Sequence, residues 1–315
     1  MSSSPENIIE PACPPAEEQL AGADREPRLL HVQCLGKRGL HRMAYWEWGD
    51  PSNPRVLVCV HGLTRQGRDF DTLARDLCTT WRVVCPDVVG RGRSDWLTEP
   101  AGYAIAAYVA DMVTLLGRLD ARTVHWVGTS MGGLIGMLMA ALPNSPVQRL
   151  VLNDVGPQLQ ASALARIGSY LGVPVRFKNL EDAADRLWSI SQGFGPHTRQ
   201  QWLDLTRAQV VPDGQGAWKP HYDPAIAVPF RALTPELAAA GEAALWQAFD
   251  AIRCPTLLLR GADSDLLTAH TAQAMAARGP RPRVHEFTGV GHAPTLVQAD
   301  QREVVRDFLA GAAGP

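Results

Sequence analysis

Apolar residues along this chain fall into two alternating rhythms. Val56–Val60 is a continuous, largely β-branched run, the pattern of a strand buried on both faces of a parallel sheet. Residues 70–78 then place Phe70, Leu73, Ala74 and Leu77 at helical spacing. The alternation continues with a strand over 81–85, an amphipathic helix over Ile105–Leu119 and a strand over 123–127. A helix over Met131–Ala141 and a strand over 148–153 follow. Upstream, residues 29–35 and 41–48 read as two strands of a hairpin turning near 36–39. Downstream, the rhythm resumes with a strand over 255–259, a helix over 269–278, a strand over 284–287 and a helix over 295–309. Alternating strands and helices predict an α/β fold, with a mostly parallel central sheet covered by helices on both faces.

Residues 157–240 break this rhythm. They lack short apolar strand-like runs and read as helices interrupted by Pro and Gly, with Trp188, Trp202 and Trp218 scattered among them. So long a segment between two core strands is not a simple loop. It is read as a helical cap inserted over one end of the sheet, dividing the core into 28–156 and 241–315. Residues 1–27 are rich in Pro, Ser, Glu and Ala, bury too little apolar surface to offset ordering entropy, and are expected to form a flexible tail.

Composition narrows the classes of function. The 315 residues are 46% hydrophobic, enough for one large domain with an insertion. Thirty Lys and Arg balance 32 Asp and Glu, which argues against an electrostatic grip on nucleic acid or an anionic membrane. The six cysteines form no CxxC and no zinc-like spacing with histidine. No run of about 18 apolar residues predicts a spanning helix, and the first 20 residues lack the pattern of a secretory leader. The expectation is a cytoplasmic protein acting on a small molecule, as a monomer or homodimer.

The sharpest chemical signal is Gly128-Thr129-Ser130-Met131-Gly132-Gly133, between a predicted strand and a predicted helix. That is the setting of a G-x-S-x-G nucleophile elbow, where a tight turn lifts the serine hydroxyl above the strand ends. A serine needs a base, and His292 in Gly289-Val290-Gly291-His292 follows the last predicted strand. The third member is expected in the loop after the strand over 255–259. Asp265 is preferred there, because Leu266 and Leu267 could anchor it, with Asp263 as the alternative. A less usual layout would take Asp154, after the preceding strand. The oxyanion of an acyl-transfer intermediate would be held by the backbone amides of Met131 and of Leu63, the latter in His61-Gly62-Leu63. His61 is read as a brace for that loop. Arg65, or Arg68, is a candidate for a substrate carboxylate, and Trp188, Trp218, Tyr222, Trp202 and His221 are candidates to line the pocket.

These motifs, in this order, resemble the α/β-hydrolase fold superfamily, in its capped branch of esterases, lactonases and meta-cleavage-product hydrolases. His61-Gly62 follows the third strand, a P-D-V-V-G-R-G-R-S-D stretch (residues 86–95) the fourth, the elbow the fifth, and Gly291-His292 the last. One departure concerns the acid loop: many relatives carry G-x-x-D, whereas Gly261 is followed three positions later by Ser264. The resemblance implies a serine hydrolase of a small ester, thioester or lactone, using no metal or organic cofactor. The alternatives are carbon–carbon bond hydrolysis of the meta-cleavage type, or a receptor that binds a small ligand without turning it over.

Overall fold

A computed structural model describes residues 26–311. The expected tail over 1–27 lies outside the described residues, apart from its last two positions. Eight strands form one sheet in the order β1-β2-β4-β3-β5-β6-β9-β10. The strands are β1 (Arg28–Gly36), β2 (Gly39–Trp48), β3 (Val56–Val60), β4 (Arg82–Pro86), β5 (Val124–Thr129), β6 (Val147–Asn153), β9 (Thr256–Gly261) and β10 (Arg283–Phe287). β1, β2 and β4 pair antiparallel, and every other pairing is parallel.

The period of two decides what covers each face. Val56, Val58 and Val60 of β3 join one core cluster, and Leu57 and Cys59 join the other. Leu258 of β9 faces the first cluster, while Leu257 and Leu259 face the second. The first cluster receives α2 (Ile105–Leu119), whose Tyr108, Met112, Leu115, Leu116 and Leu119 form one buried stripe. It also receives α3 (Met131–Ala141), which is buried along nearly its whole length. The second cluster receives α1 (Asp71–Leu77) and α10 (Ala299–Ala310). α9 (Ala269–Ala277) sends Ala272 and Met275 into the first. The last helix starts at Ala299, four residues later than its apolar spacing suggested, because residues 288–298 form the loop carrying His292.

Between β6 and β9 lie α4 (Ala161–Tyr170), α5 (Leu180–Ile190), α6 (Arg199–Gln209), α7 (Ala227–Arg231) and α8 (Pro235–Ala251). Periodicity over this segment missed a two-stranded hairpin, β7 (Val210–Pro212) with β8 (Trp218–Pro220), whose strands are too short to show alternation. The segment builds two small cores, one of them shared with Val297 of the loop that carries His292. Trp202, Leu205 and Ala184 pack with Trp188 and Phe194, and Phe177, Ala183 and Val210 pack with Trp218. Thr198 and Gln201 close a capping box at the start of α6. α8 runs unbroken through residue 240 and packs on α3, so its chain continues into the layer that covers the sheet.

Candidate active site

β5 ends at Thr129 and α3 begins at Met131, leaving Ser130 alone in the turn between them. Its φ of 52° and ψ of −115° lie outside the regions an L-residue ordinarily occupies, so the turn holds stored backbone strain. Neighbouring hydrogen bonds hold it there. The Ser130 amide donates to the Asn153 carbonyl at 3.0 Å, and the Gly133 amide donates to the Ser130 carbonyl at 2.9 Å. A Cβ on Gly132 would overlap the Val60 carbonyl, and one on Gly128 would overlap the Gly132 backbone. The glycines therefore let α3 descend directly onto the ends of β3 and β5.

His292 Nε2 lies 3.0 Å from Ser130 Oγ. Its Nδ1 lies 2.7 Å from Oδ2 of Asp154, a fully buried side chain. Here the structure departs from the expected acid. Asp265 is exposed and forms a two-pronged ion pair with Arg166 at 2.7 and 2.9 Å, and Asp263 is exposed as well. Asp154 follows β6 directly, and β6 lies between β5 and β9, so its carboxylate is flanked by both neighbouring strand ends. Oδ1 accepts from the Gly261 amide at 2.9 Å and Oδ2 from Ser264 Oγ at 2.6 Å. Ser264, at the place where the G-x-x-D pattern puts an acid, thus donates to the carboxylate that His292 meets. That serine was the available signal in the sequence. Asn153 went unnoticed: its Nδ2 donates to Thr129 Oγ1 at 2.9 Å and to the Pro294 carbonyl at 2.8 Å, tying the elbow to the histidine loop.

The Met131 amide is the first of α3 and has no acceptor within the helix. Gly62 lies against the serine, since a Cβ on it would stand 3.7 Å from Ser130 Cβ. The Gly62 carbonyl is held from behind by His61 Nδ1 at 2.7 Å and by the Arg65 amide at 3.2 Å. A planar trans peptide points its N–H opposite to its C=O, so this grip turns the Leu63 amide the other way. His61 Nε2 accepts from the Val88 amide at 2.9 Å, which fixes the tautomer with the proton on Nδ1. Burial keeps that imidazole neutral, pushing its pKa down to about 3. The bracing role expected for His61 matches this geometry.

A cavity of about 420 Å³ opens above Ser130 and His292. Its apolar wall includes Ile167, Val173, Phe177, Leu187, Ile190 and Phe194, all from the segment between β6 and β9. Of the expected lining residues, Arg65 and Tyr222 are present and Trp188, Trp202, Trp218 and His221 are not. Trp188 stacks edge-on with Trp202 at 4.9 Å, and Trp218 pairs its backbone with Phe177, so these rings build the inserted segment itself. Arg68 is also absent from the lining and pairs with Asp71. Among the described residues, the charged side chains of the lining are Arg65, Arg166 and Arg186, with no carboxylate. Arg65 pairs with the largely buried Asp69, and Arg166 and Arg186 pair with Asp265 and Asp182.

Cys34, His41 and Asp111 bring possible metal-ligating atoms within 4.8 Å of one another, but none of them lines the cavity. His41 Nε2 bonds Asp111 Oδ2 at 3.0 Å, and burial pushes the Cys34 thiol up to about 12, which keeps it protonated. The trio fastens the β1–β2 hairpin to α2. Among the described residues, no helix is long and apolar enough to cross a membrane.

Sheet order, elbow and histidine loop together define the class, and the chain belongs to the alpha/beta hydrolase family, which it matches over residues 57–308. It is 58% identical over 290 residues to the 3-hydroxybutyrate-oligomer hydrolase of Cupriavidus necator, covering 91% of this chain and 99% of that protein. The crystal structure of an alpha/beta hydrolase from Novosphingobium aromaticivorans superposes with a TM-score of 0.80 at 35% identity, covering 90% of this chain and 98% of that one. E-2-(acetamidomethylene)succinate hydrolase shares the fold, with a TM-score of 0.75 at 20% identity, over 90% of this chain and all of that one. The chain is a hydrolase.

Proposed function

We propose that this hydrolase cleaves carboxylic esters through an acyl-enzyme on Ser130, and that its substrates are short oligoesters of the 3-hydroxybutyrate type. The observation that carries the reading is the relay from Ser130 Oγ through His292 to Asp154, with contacts of 3.0 and 2.7 Å. Ser130 Oγ attacks the ester carbonyl as His292 Nε2 takes its proton, while Asp154 stabilises the imidazolium through Nδ1. The Leu63 and Met131 amides donate hydrogen bonds to the carbonyl oxygen as negative charge develops on it. Collapse expels the alcohol end of the oligomer, which takes the proton from Nε2. Water, activated by the same histidine, then releases the acid and restores the serine. The inserted segment serves as the cap, and its apolar wall receives the methyl-bearing acyl chain. The cavity volume falls within the range of small-molecule sites. The relative from Cupriavidus necator supports the oligoester as substrate.

The test is a panel of a 3-hydroxybutyrate trimer, p-nitrophenyl esters of increasing acyl length, simple lactones and a meta-cleavage dienoate, run with wild type and Ser130→Ala. Sustained turnover of the trimer, lost to below about 1% in the alanine variant, is expected. Faster turnover of the dienoate would move the reaction to carbon–carbon bonds. A single stoichiometric burst without turnover would make the protein a receptor.

A further inference from the structure

Arg91 stands in a position its sequence surroundings do not suggest. It sits between Gly90 and Gly92, both at positive φ, in the connection from β4 to α2. An arginine in a glycine turn reads as a solvated side chain, yet this one has no exposed surface. None of its hydrogen-bond partners among the described residues is a carboxylate. Nε donates to the Leu63 carbonyl at 2.8 Å, and Nη2 approaches Met131 Sδ at 3.5 Å. Nη1 donates to the Val89 carbonyl at 2.8 Å and to Tyr108 Oη at 2.9 Å. The Tyr108 ring lies 5.0 Å from the guanidinium carbon.

Burying a cation without a counter-ion is costly, and an apolar side chain would fill the space at less expense. The geometry points to a use for it. Nε–H and one N–H of Nη2 project from the same edge of the rigid guanidinium fork. That edge spans Leu63, from the loop after β3, and Met131, from the elbow after β5. We propose that Arg91 is a positioning residue, fixing the distance between the two backbone amides that hold the oxyanion and adding its charge to the field there. The inference rests on the assignment of those amides in the proposed reaction. The turn is itself anchored to the inserted segment, because the Gly92 amide donates to the His221 carbonyl at 3.1 Å and the Asp223 amide to the Gly90 carbonyl at 2.8 Å. One short stretch therefore ties the segment that walls the cavity to the groups that stabilise charge.

The experiment compares Arg91→Gln and Arg91→Lys with wild type on a short p-nitrophenyl ester. Alongside it runs inhibition by a trifluoromethyl ketone, whose adduct with serine carries the oxyanion, and by the corresponding trifluoromethyl carbinol, which is neutral and has no carbonyl to form an adduct. In Arg91→Gln, kcat should fall by about 10- to 100-fold with KM changed less than about threefold. Ketone affinity should fall by the same factor, carbinol affinity should stay, and Arg91→Lys should recover part of the loss. If Arg91→Gln does not fold, Tyr108→Phe removes one partner of the fork and should show the same paired loss at about two- to fivefold. A folded Arg91→Gln with kcat within twofold of wild type, or a kcat loss that ketone affinity does not follow, overturns the proposal. Ser130→Ala separates the two readings: residual activity there defeats the serine mechanism, whereas an inactive Ser130→Ala beside unaffected Arg91 variants defeats only the role of Arg91.

Discussion

Replacing Asp154 by Asn tests the assignment of the acid most directly. Oδ1 must keep accepting from the Gly261 amide, so the new NH₂ group takes the place of Oδ2 and faces both Ser264 Oγ and His292 Nδ1. Ser264 can turn its hydroxyl to accept, but His292 must then hold its proton on Nε2. That proton points at Ser130 Oγ, and the base is lost while the packing survives. The imidazolium also loses its only carboxylate neighbour at hydrogen-bond distance among the described residues. A loss of about 10³- to 10⁴-fold in kcat follows, with KM little changed. That is about 4–5 kcal/mol of transition-state stabilisation. Asp265→Asn breaks only a half-exposed pair with Arg166 and should leave kcat within about threefold. Steady-state kinetics on a p-nitrophenyl ester, with circular dichroism to confirm folding, reads both variants. A larger loss in Asp265→Asn, or more than a tenth of kcat surviving in Asp154→Asn, would refute the reasoning.

Two further outcomes concern the supports of the site. The folded-state pKa of His61, about 3, lies below its ordinary 6.5, so its contribution to stability is full above pH 6.5 and is lost as the pH falls toward 3. At pH 5 this amounts to roughly 2 kcal/mol; urea unfolding at pH 8 and pH 5 should show wild type losing that much more than His61→Gln, and equal losses would reject the buried neutral imidazole. Gly132→Ala sets a Cβ against the Val60 backbone carbonyl, where no flexible side chain can yield. It should destabilise by about 2 kcal/mol or more and lower kcat, and an unchanged melting temperature with unchanged kcat would show that the elbow accommodates it.

Most of the sheet could be read from the chain because its strands are buried on both faces, which leaves runs such as Val56–Val60 and Leu257–Leu259 with no polar interruption. Ser130 and His292 were legible for a different reason: each sits in a loop whose small residues serve one geometry. The acid was not legible by the same means. Asp154, Asp263 and Asp265 are all carboxylates after strands, and only the adjacency of β6 to β9 decides which of them His292 meets. Ser264 carried the clue, since it filled the place of an acid without being one. Trp188 and Trp218 misled for an energetic reason, because large rings stabilise an inserted segment at least as readily as they line a pocket. Arg91 was hidden by its charge, which suggests solvent until Tyr108 and the carbonyls around it are seen.

With the proposed acid, Asp154, just after β6, the loop after β9 needs no triad carboxylate. Asp265 instead reaches across to Arg166 on α4, at the wall of the cavity. An exposed pair of this kind contributes at most about 1 kcal/mol, so parting it is an inexpensive event on the scale of the fold. His292 takes its orientation from a strand end at the centre of the sheet, out of reach of that exchange. The rim can therefore be redrawn, by substitution at Asp265 or Arg166, for a bulkier or more polar guest while the contacts of His292 with Ser130 and Asp154 beneath it stay in register.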